Sequence, residues 1–253
     1  MSPSTPRSSR AGPGSRRPLV IAKMGCTSAE LVAARGDFES WIRAGLGLAP
    51  EAVRVVRVFE GEALPRPDEI RGAVMTGSAA MVSDRLPWSE RAAAWLRELV
   101  PAGTPFLGIC YGHQLLAHAL SGRVARNPRG REIGSVRVSL RDEASRDPLL
   151  ASLPRELPAQ ATHQESVLEL PRGARWLASS AGDPHHAFAI GERAWGVQFH
   201  PEFDAGVIRH YLAERRPLLA EEGLDADALL REVVDSPESA SLLRRFAELL
   251  DPP

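Results

Sequence analysis

The stretch PFLGICYGHQLLAHALSG, residues 105–122, decides the fold. Its opening PFLGI is a short apolar run of strand length, and the residues after Gly112 read as a helix. Between them, Gly108-Ile109-Cys110-Tyr111-Gly112 places a cysteine in the pattern Gly-x-nucleophile-x-Gly. That pattern is the mark of a nucleophile elbow, where a tight strand-to-helix turn holds the central residue in strained backbone geometry and the glycines make room for it. The thiol then sits at the amino end of the helix. Backbone N–H groups and the helix dipole favour an anion there, so the Cys110 pKa should fall below its usual value of about 8.5. Taken alone, the motif also fits a buried small hydrophobe in an ordinary strand-to-helix turn.

Outward from this stretch, short apolar runs alternate with amphipathic ones. PLVIA (18–22), VRVVRVF (53–59) and GAVMT (72–76) read as strands, with helices over 38–47 and 88–100, the latter carrying Trp88, Ala92, Trp95, Leu96 and Leu99 at helical spacing. Alternating strands and helices predict an α/β fold with an open, mostly parallel central sheet covered on both faces. Ligands in such sheets bind beyond the carboxyl ends of the strands, which directs attention to the segments after Thr76 and Ile109. The second half is richer in strands: 135–140, 159–163, 166–170, 186–191 and 195–199. A helix is expected over 204–219. Two more should follow, the first capped by Asp225 and the second by Ser236 or Ser239.

Composition narrows the function classes. The chain has 253 residues, 43% hydrophobic, with 31 basic and 32 acidic side chains and a net charge of −1, which favours neither a nucleic acid nor a membrane surface as partner. No apolar run approaches the roughly 18 to 20 residues that span a bilayer. Lys23 is the only lysine and is followed by Met24, so a Gly-Lys-Ser/Thr phosphate loop is excluded. Two cysteines, Cys26 and Cys110, are too few for a disulfide framework or a four-cysteine zinc site. Residues 1–17, rich in Ser, Pro, Gly and Arg, read as a disordered tail without a secretory core, which makes the cytoplasm the expected location.

A second segment, Gly196-Val197-Gln198-Phe199-His200-Pro201-Glu202-Phe203, supplies what a thiolate needs. A strand leads into a histidine, and a carboxylate follows two residues later, with proline turning the backbone between them. A cysteine nucleophile requires a base, and the base an orienting acid on its other ring nitrogen. ICYGHQLLAHALSG and WGVQFHPEF together resemble the two signature segments of class I glutamine amidotransferases, and the resemblance extends over about residues 18–212. It is closest to stand-alone proteins similar to the amidotransferase domain of GMP synthase, and it implies a flavodoxin-like fold.

By that resemblance Cys110 is the nucleophile, His200 the general base and acid, and Glu202 its orienting group. An oxyanion hole is expected from the backbone N–H of Tyr111 and from the turn Thr76-Gly77-Ser78-Ala79, where relatives commonly carry Ser-Gly-Gly-Pro. Ser78 stands in place of the second glycine, which leaves open whether Gly77 or Ser78 is the donor. Gln114 is implied to contact the amino-acid end of the substrate. Ala161-Thr162-His163-Gln164-Glu165 resembles the family's Ser-His-Gly-Asp region, which puts His163 beside the pocket.

The expected activity is hydrolysis of the glutamine side-chain amide through a glutamyl thioester. No cofactor is expected, and no metal: His113 and His118 fall on different helix faces, and His185 and His186 are simply adjacent. With about 40 residues after Tyr211 and no ATP-binding motif, the expectation is that either the ammonia passes to a separate acceptor or synthetase chain or the protein uses the triad independently. The alternatives are a γ-glutamyl peptidase using the same triad and a non-catalytic regulatory protein on this fold. Residues 213–253 are expected to form a C-terminal helical extension of the same domain.

Overall fold

The computed structural model describes residues 17–250; the expected tail, but for Arg17, lies outside them. The first half runs β1 (Leu19–Lys23), α1 (Ala29–Arg35), α2 (Phe38–Leu46), β2 (Val53–Arg57), β3 (Gly72–Met75), α3 (Pro87–Leu99), β4 (Phe106–Ile109) and α4 (Tyr111–Ala119). There follow β5 (Arg123–Arg126), β6 (Glu132–Leu140), β7 (Glu156–His163), β8 (Glu165–Glu169), β9 (Arg175–Ser179), β10 (Ala187–Ile190) and β11 (Ala194–Val197). Four helices close the described chain: α5 (Ala205–Glu214), α6 (Arg216–Glu221), α7 (Ala226–Arg231) and α8 (Pro237–Glu248).

Nine strands form one sheet in the order β2-β1-β3-β4-β11-β10-β9-β6-β7, and β5 pairs with β8 beside it. The five strands from β2 to β11 are mutually parallel. The remaining four continue the sheet in antiparallel fashion. This is the expected α/β architecture, and its parallel half follows the doubly wound order in which ligands sit at the carboxyl ends of the strands.

Both faces of the four inner parallel strands are buried, which explains why they read as apolar runs, whereas the edge strand β2 buries only Val56. Successive side chains go to opposite faces. Leu19, Ile21, Val74, Leu107 and Ile109 pack under α2, α5 and α8. Val20, Ala22, Ala73, Met75 and Phe106 pack under α3 and α4.

Several boundaries differ from the sequence reading. The second strand stops at Arg57, and Val58–Glu60 curl into a 3₁₀ turn. The helix expected over 204–219 is two helices meeting at Arg215, with Pro217 in the first turn of α6, where its missing N–H costs nothing. α1, β5 and β9 had no clear pattern; β5 is four residues long and nowhere buried. Asp225 caps α7 by accepting from the N–H groups of Asp227 and Ala228. Ser236 stands at the start of α8 but its side chain does not cap; its hydroxyl accepts from Gln160 Nε2 at 3.3 Å. None of the described helices is long and apolar enough to cross a membrane.

Candidate active site

Cys110 joins β4 to α4 with φ 51° and ψ −97°. Positive φ costs an L-residue of order 1–3 kcal/mol and persists only where the surroundings impose it. Here the Cys110 N–H donates to Val197 O at 2.8 Å, which ties the turn to β11. The flanking glycines are required by contact: a Cβ on Gly108 would lie 2.4 Å from Gly112 O, and one on Gly112 would lie 2.6 Å from Met75 O. The elbow read from the sequence therefore has its strained residue and its close packing. Cys110 is buried, and its Sγ lies 4.0 Å from Thr162 O.

His200 lies three residues beyond β11, where its N–H donates to Gln160 O at 2.8 Å. The imidazole stacks on Phe203 with ring centroids 4.0 Å apart. Its Nδ1 is 2.8 Å from Glu202 Oε1, and both side chains are buried. Nε2 has no hydrogen-bond partner among the described residues, and the imidazole and the Cys110 thiol are near enough for their charges to act on one another. Gly77 fits between them, since a Cβ there would lie 2.9 Å from His200 Cε1 and 3.7 Å from Cys110 Cβ.

The electrostatics follow from this geometry. Burial opposes ionisation of Cys110, but the His200 charge, and more weakly that of His163, outweigh it and lower the thiol pKa. Burial alone would lower the His200 pKa; Glu202 and then Cys110 reverse this and raise it to about 10. Such an arrangement can hold a thiolate and an imidazolium as an ion pair, with a proton available beside the sulfur.

Two cavities meet at Cys110. One of about 400 Å³ opens on the His200 side and is bordered by Thr27, Phe38, Phe203 and Tyr211. The other, about 220 Å³, is bordered by Gln114, Arg131, His163 and Glu165. Ser78, Thr162 and Arg215 line both. Tyr111 opens α4, where its N–H has no intrahelical acceptor. Its phenol donates to Ser89 Oγ at 2.6 Å. The Ser78 hydroxyl accepts from the Ala80 N–H at 3.1 Å.

Gln114 borders the smaller cavity with both amide protons committed, to Glu165 O at 2.8 Å and to Gln198 Oε1 at 3.0 Å. Only its oxygen remains for a ligand. Glu165 accepts at Oε2 from the Val82 and Ser83 N–H groups, while its buried Oε1 has no partner among the described residues. Cys26 borders the larger cavity but is exposed, and burial and Asp37 raise its pKa. Both thiols are free.

His163 is beside the pocket as expected, but its ring nitrogens are turned into the protein. Nδ1 donates to Glu165 O and Nε2 to Glu132 Oε2, each at 2.9 Å. Both contacts favour the doubly protonated ring. Burial works against that charge, and Glu132 outweighs it to raise the His163 pKa, while Glu132 itself is driven far below the carboxylate range. His186 Nε2 shares the same oxygen at 2.9 Å. These three side chains are the one group among the described residues whose ligand atoms could gather on a metal ion. Glu132 carries no sequence signal and His186 shows only as half of a His-His pair, because three separate segments of the chain bring the cluster together.

A cysteine at a strained strand-to-helix turn beside a histidine held by a carboxylate, on a mostly parallel α/β sheet, is the arrangement of a thiol with a base and an orienting acid. The family profile described as "Glutamine amidotransferase class-I" matches residues 38–216, and the chain belongs to that family. It is 41% identical over 145 residues to a glutamine-hydrolysing GMP synthase of Aeropyrum pernix, covering 56% of this chain and 25% of that protein. It is 37% identical over 132 residues to one subunit of the glutamine-hydrolysing GMP synthase of Saccharolobus solfataricus, covering 51% of this chain and 65% of that one. The matched stretch is thus under two thirds of either relative. Among solved structures, a glutamine amidotransferase of Thermotoga maritima superposes with a TM-score of 0.71 at 24% identity, over 93% of this chain and 99% of its own.

Proposed function

We propose that the protein hydrolyses the side-chain amide of glutamine with Cys110, His200 and Glu202 as its catalytic triad. The observation that carries this reading is Cys110 at φ 51° on the helix start, beside a His200 whose far nitrogen is fixed by Glu202 at 2.8 Å. Thiolate attack on the amide carbon gives a tetrahedral oxyanion. The N–H groups of Tyr111 and of the Gly77-Ser78 turn are the donors for it. The His200 imidazolium protonates the departing ammonia, leaving a glutamyl thioester. His200 then takes a proton from water as the water attacks, and glutamate leaves with the thiol restored. In the smaller cavity, the side-chain oxygen of Gln114 suits the substrate's ammonium group. Resemblance to a protein that is one subunit of a GMP synthase supports a separate acceptor chain for the ammonia.

One observation favours a second reading. The cavity on the His200 side, where the leaving group departs, measures about 400 Å³, far more than ammonia fills. A γ-glutamyl amide of a larger amine could be accommodated there. Trapping Cys110 with a glutamine-mimicking electrophile, with Cys110→Ala as control, tests the triad. Parallel turnover of glutamine and γ-glutamyl peptides separates the two substrates. An unmodified Cys110 in the native protein, with or without candidate acceptor chains, would remove both readings.

A further inference from the structure

Two guanidinium groups border the smaller cavity, and the protein treats them differently. Arg131 is buried and bound by Glu222 through two hydrogen bonds, 2.7 and 3.0 Å long. Arg215 has no carboxylate within ion-pair distance among the described residues. It is half-buried at the break between α5 and α6, with its Cζ 4.6 Å from the Tyr211 ring centroid and its Nη1 2.5 Å from Thr162 Oγ1. Thr162 is the residue whose carbonyl lies against Cys110 Sγ.

Arginine carries five N–H donors in a planar fork suited to a carboxylate, and it stays charged under all ordinary conditions. One donor of Arg215 is used. A partly desolvated cation without a counter-ion is costly to hold, and burial accordingly pulls its pKa down. Arg131, in the same cavity wall, shows the internal solution available to the fold. Arg215 lacks it at a point that lines both cavities. Glu165, whose buried Oε1 has no hydrogen-bond partner among the described residues, borders the same cavity. A space of about 220 Å³ bordered by an unpaired cation and by a carboxylate side chain matches a zwitterionic α-amino acid group.

Resting on the amide-hydrolysis reading above, we propose that Arg215 receives the free α-carboxylate of the substrate's glutamyl group. It thereby makes that carboxylate a requirement. Arg215 is then a specificity-determining residue, supplied by the helix junction after the family's second signature segment.

The test measures alkylation of Cys110 in the full chain, read by mass spectrometry of its peptide. Three reagents are compared: the chloroketone analogue of glutamine, the same compound without its α-carboxylate, and iodoacetamide. The native protein should react with the first about 10- to 100-fold faster than with the second, the range expected for a charged hydrogen-bonded contact. Arg215→Met should abolish that preference, read as the ratio of the two chloroketone rates after each is divided by the same variant's iodoacetamide rate so that any change in the thiol itself cancels, and Arg215→Lys should restore part of it. Equal rates with the two chloroketones in the native protein, or a preference that survives in Arg215→Met, overturn the assignment. Slow alkylation by all three reagents would instead show that the thiolate itself is absent, and would remove the hydrolysis reading together with this one.

Discussion

Replacing Glu202 by Gln keeps a neutral acceptor for His200 Nδ1 and removes only the charge. The two groups are in contact, Nδ1 to Oε1 2.8 Å, which puts their charge centres about 4 Å apart. At an effective dielectric of about 20 this attraction is worth about 4 kcal/mol, or about 3 pKa units at 1.36 kcal/mol per unit. His200 is raised to about 10 in the native protein. Its imidazolium is therefore present below pH 10 and lost above it. In Glu202→Gln the midpoint should fall to about 7, so that at pH 8 only about a tenth of the molecules retain the proton needed by the leaving group. Following the His200 ring resonance by NMR across pH measures both midpoints. The kcat/KM for amide hydrolysis at pH 8 should drop about tenfold with the same change. A native His200 that titrates at its ordinary value of about 6.5, or a midpoint unmoved by the substitution, would refute the charge coupling on which the triad is argued.

Two other substitutions probe the surroundings. Gly77→Ala would place a Cβ 2.9 Å from His200 Cε1 and should push the ring away from the thiol, lowering kcat about 100-fold with little change in melting temperature. Activity near the native level in that variant would show that the ring position is not critical. Glu132→Gln removes the partner of His163 and should cost about 3 kcal/mol of stability near neutral pH, measured by urea denaturation. Glu132 has a depressed pKa, so its contribution is present above the unfolded carboxylate value of about 4.3 and fades as pH falls. His163 has a raised pKa, so its contribution is full below about 6.5 and fades as pH rises through its folded value. The gap between native and variant protein should be widest between those limits; a gap independent of pH would exclude the ion pair as its cause.

The parallel half of the sheet was legible because each of its inner strands is apolar on both faces and bounded by turn residues. LVIAK, GAVM and FLGI could be read directly. VRVVR was found as well, although its end was misplaced, since Val58 packs inward from a 3₁₀ turn as well as it would from a strand. RVAR at β5 carries no such signal: it pairs with β8 at the side of the molecule and is buried by neither face. The break at Arg215 was likewise hidden, because LAERRPLLA remains amphipathic across it, and Pro217 is tolerated in a first helical turn.

The candidate triad was legible for a different reason. Cys110 and its glycines are one local backbone motif, and His200 and Glu202 are two residues apart, so each half of the site is written in a single short segment. The other charges near the thiol are not. Glu132 meets His163 across the β6–β7 register and His186 from before β10, while Arg215 reaches Thr162 from a helix 53 residues later. What the sequence determined by itself is where the chain turns, which runs are buried and which residue is strained at the head of α4, since local sterics and apolar periodicity act over a few residues. Only the tertiary structure decided which buried charges are neutralised by one another and which are left unpaired at the cavity wall. That outcome depends on strand order and register, which bring together groups far apart in the chain.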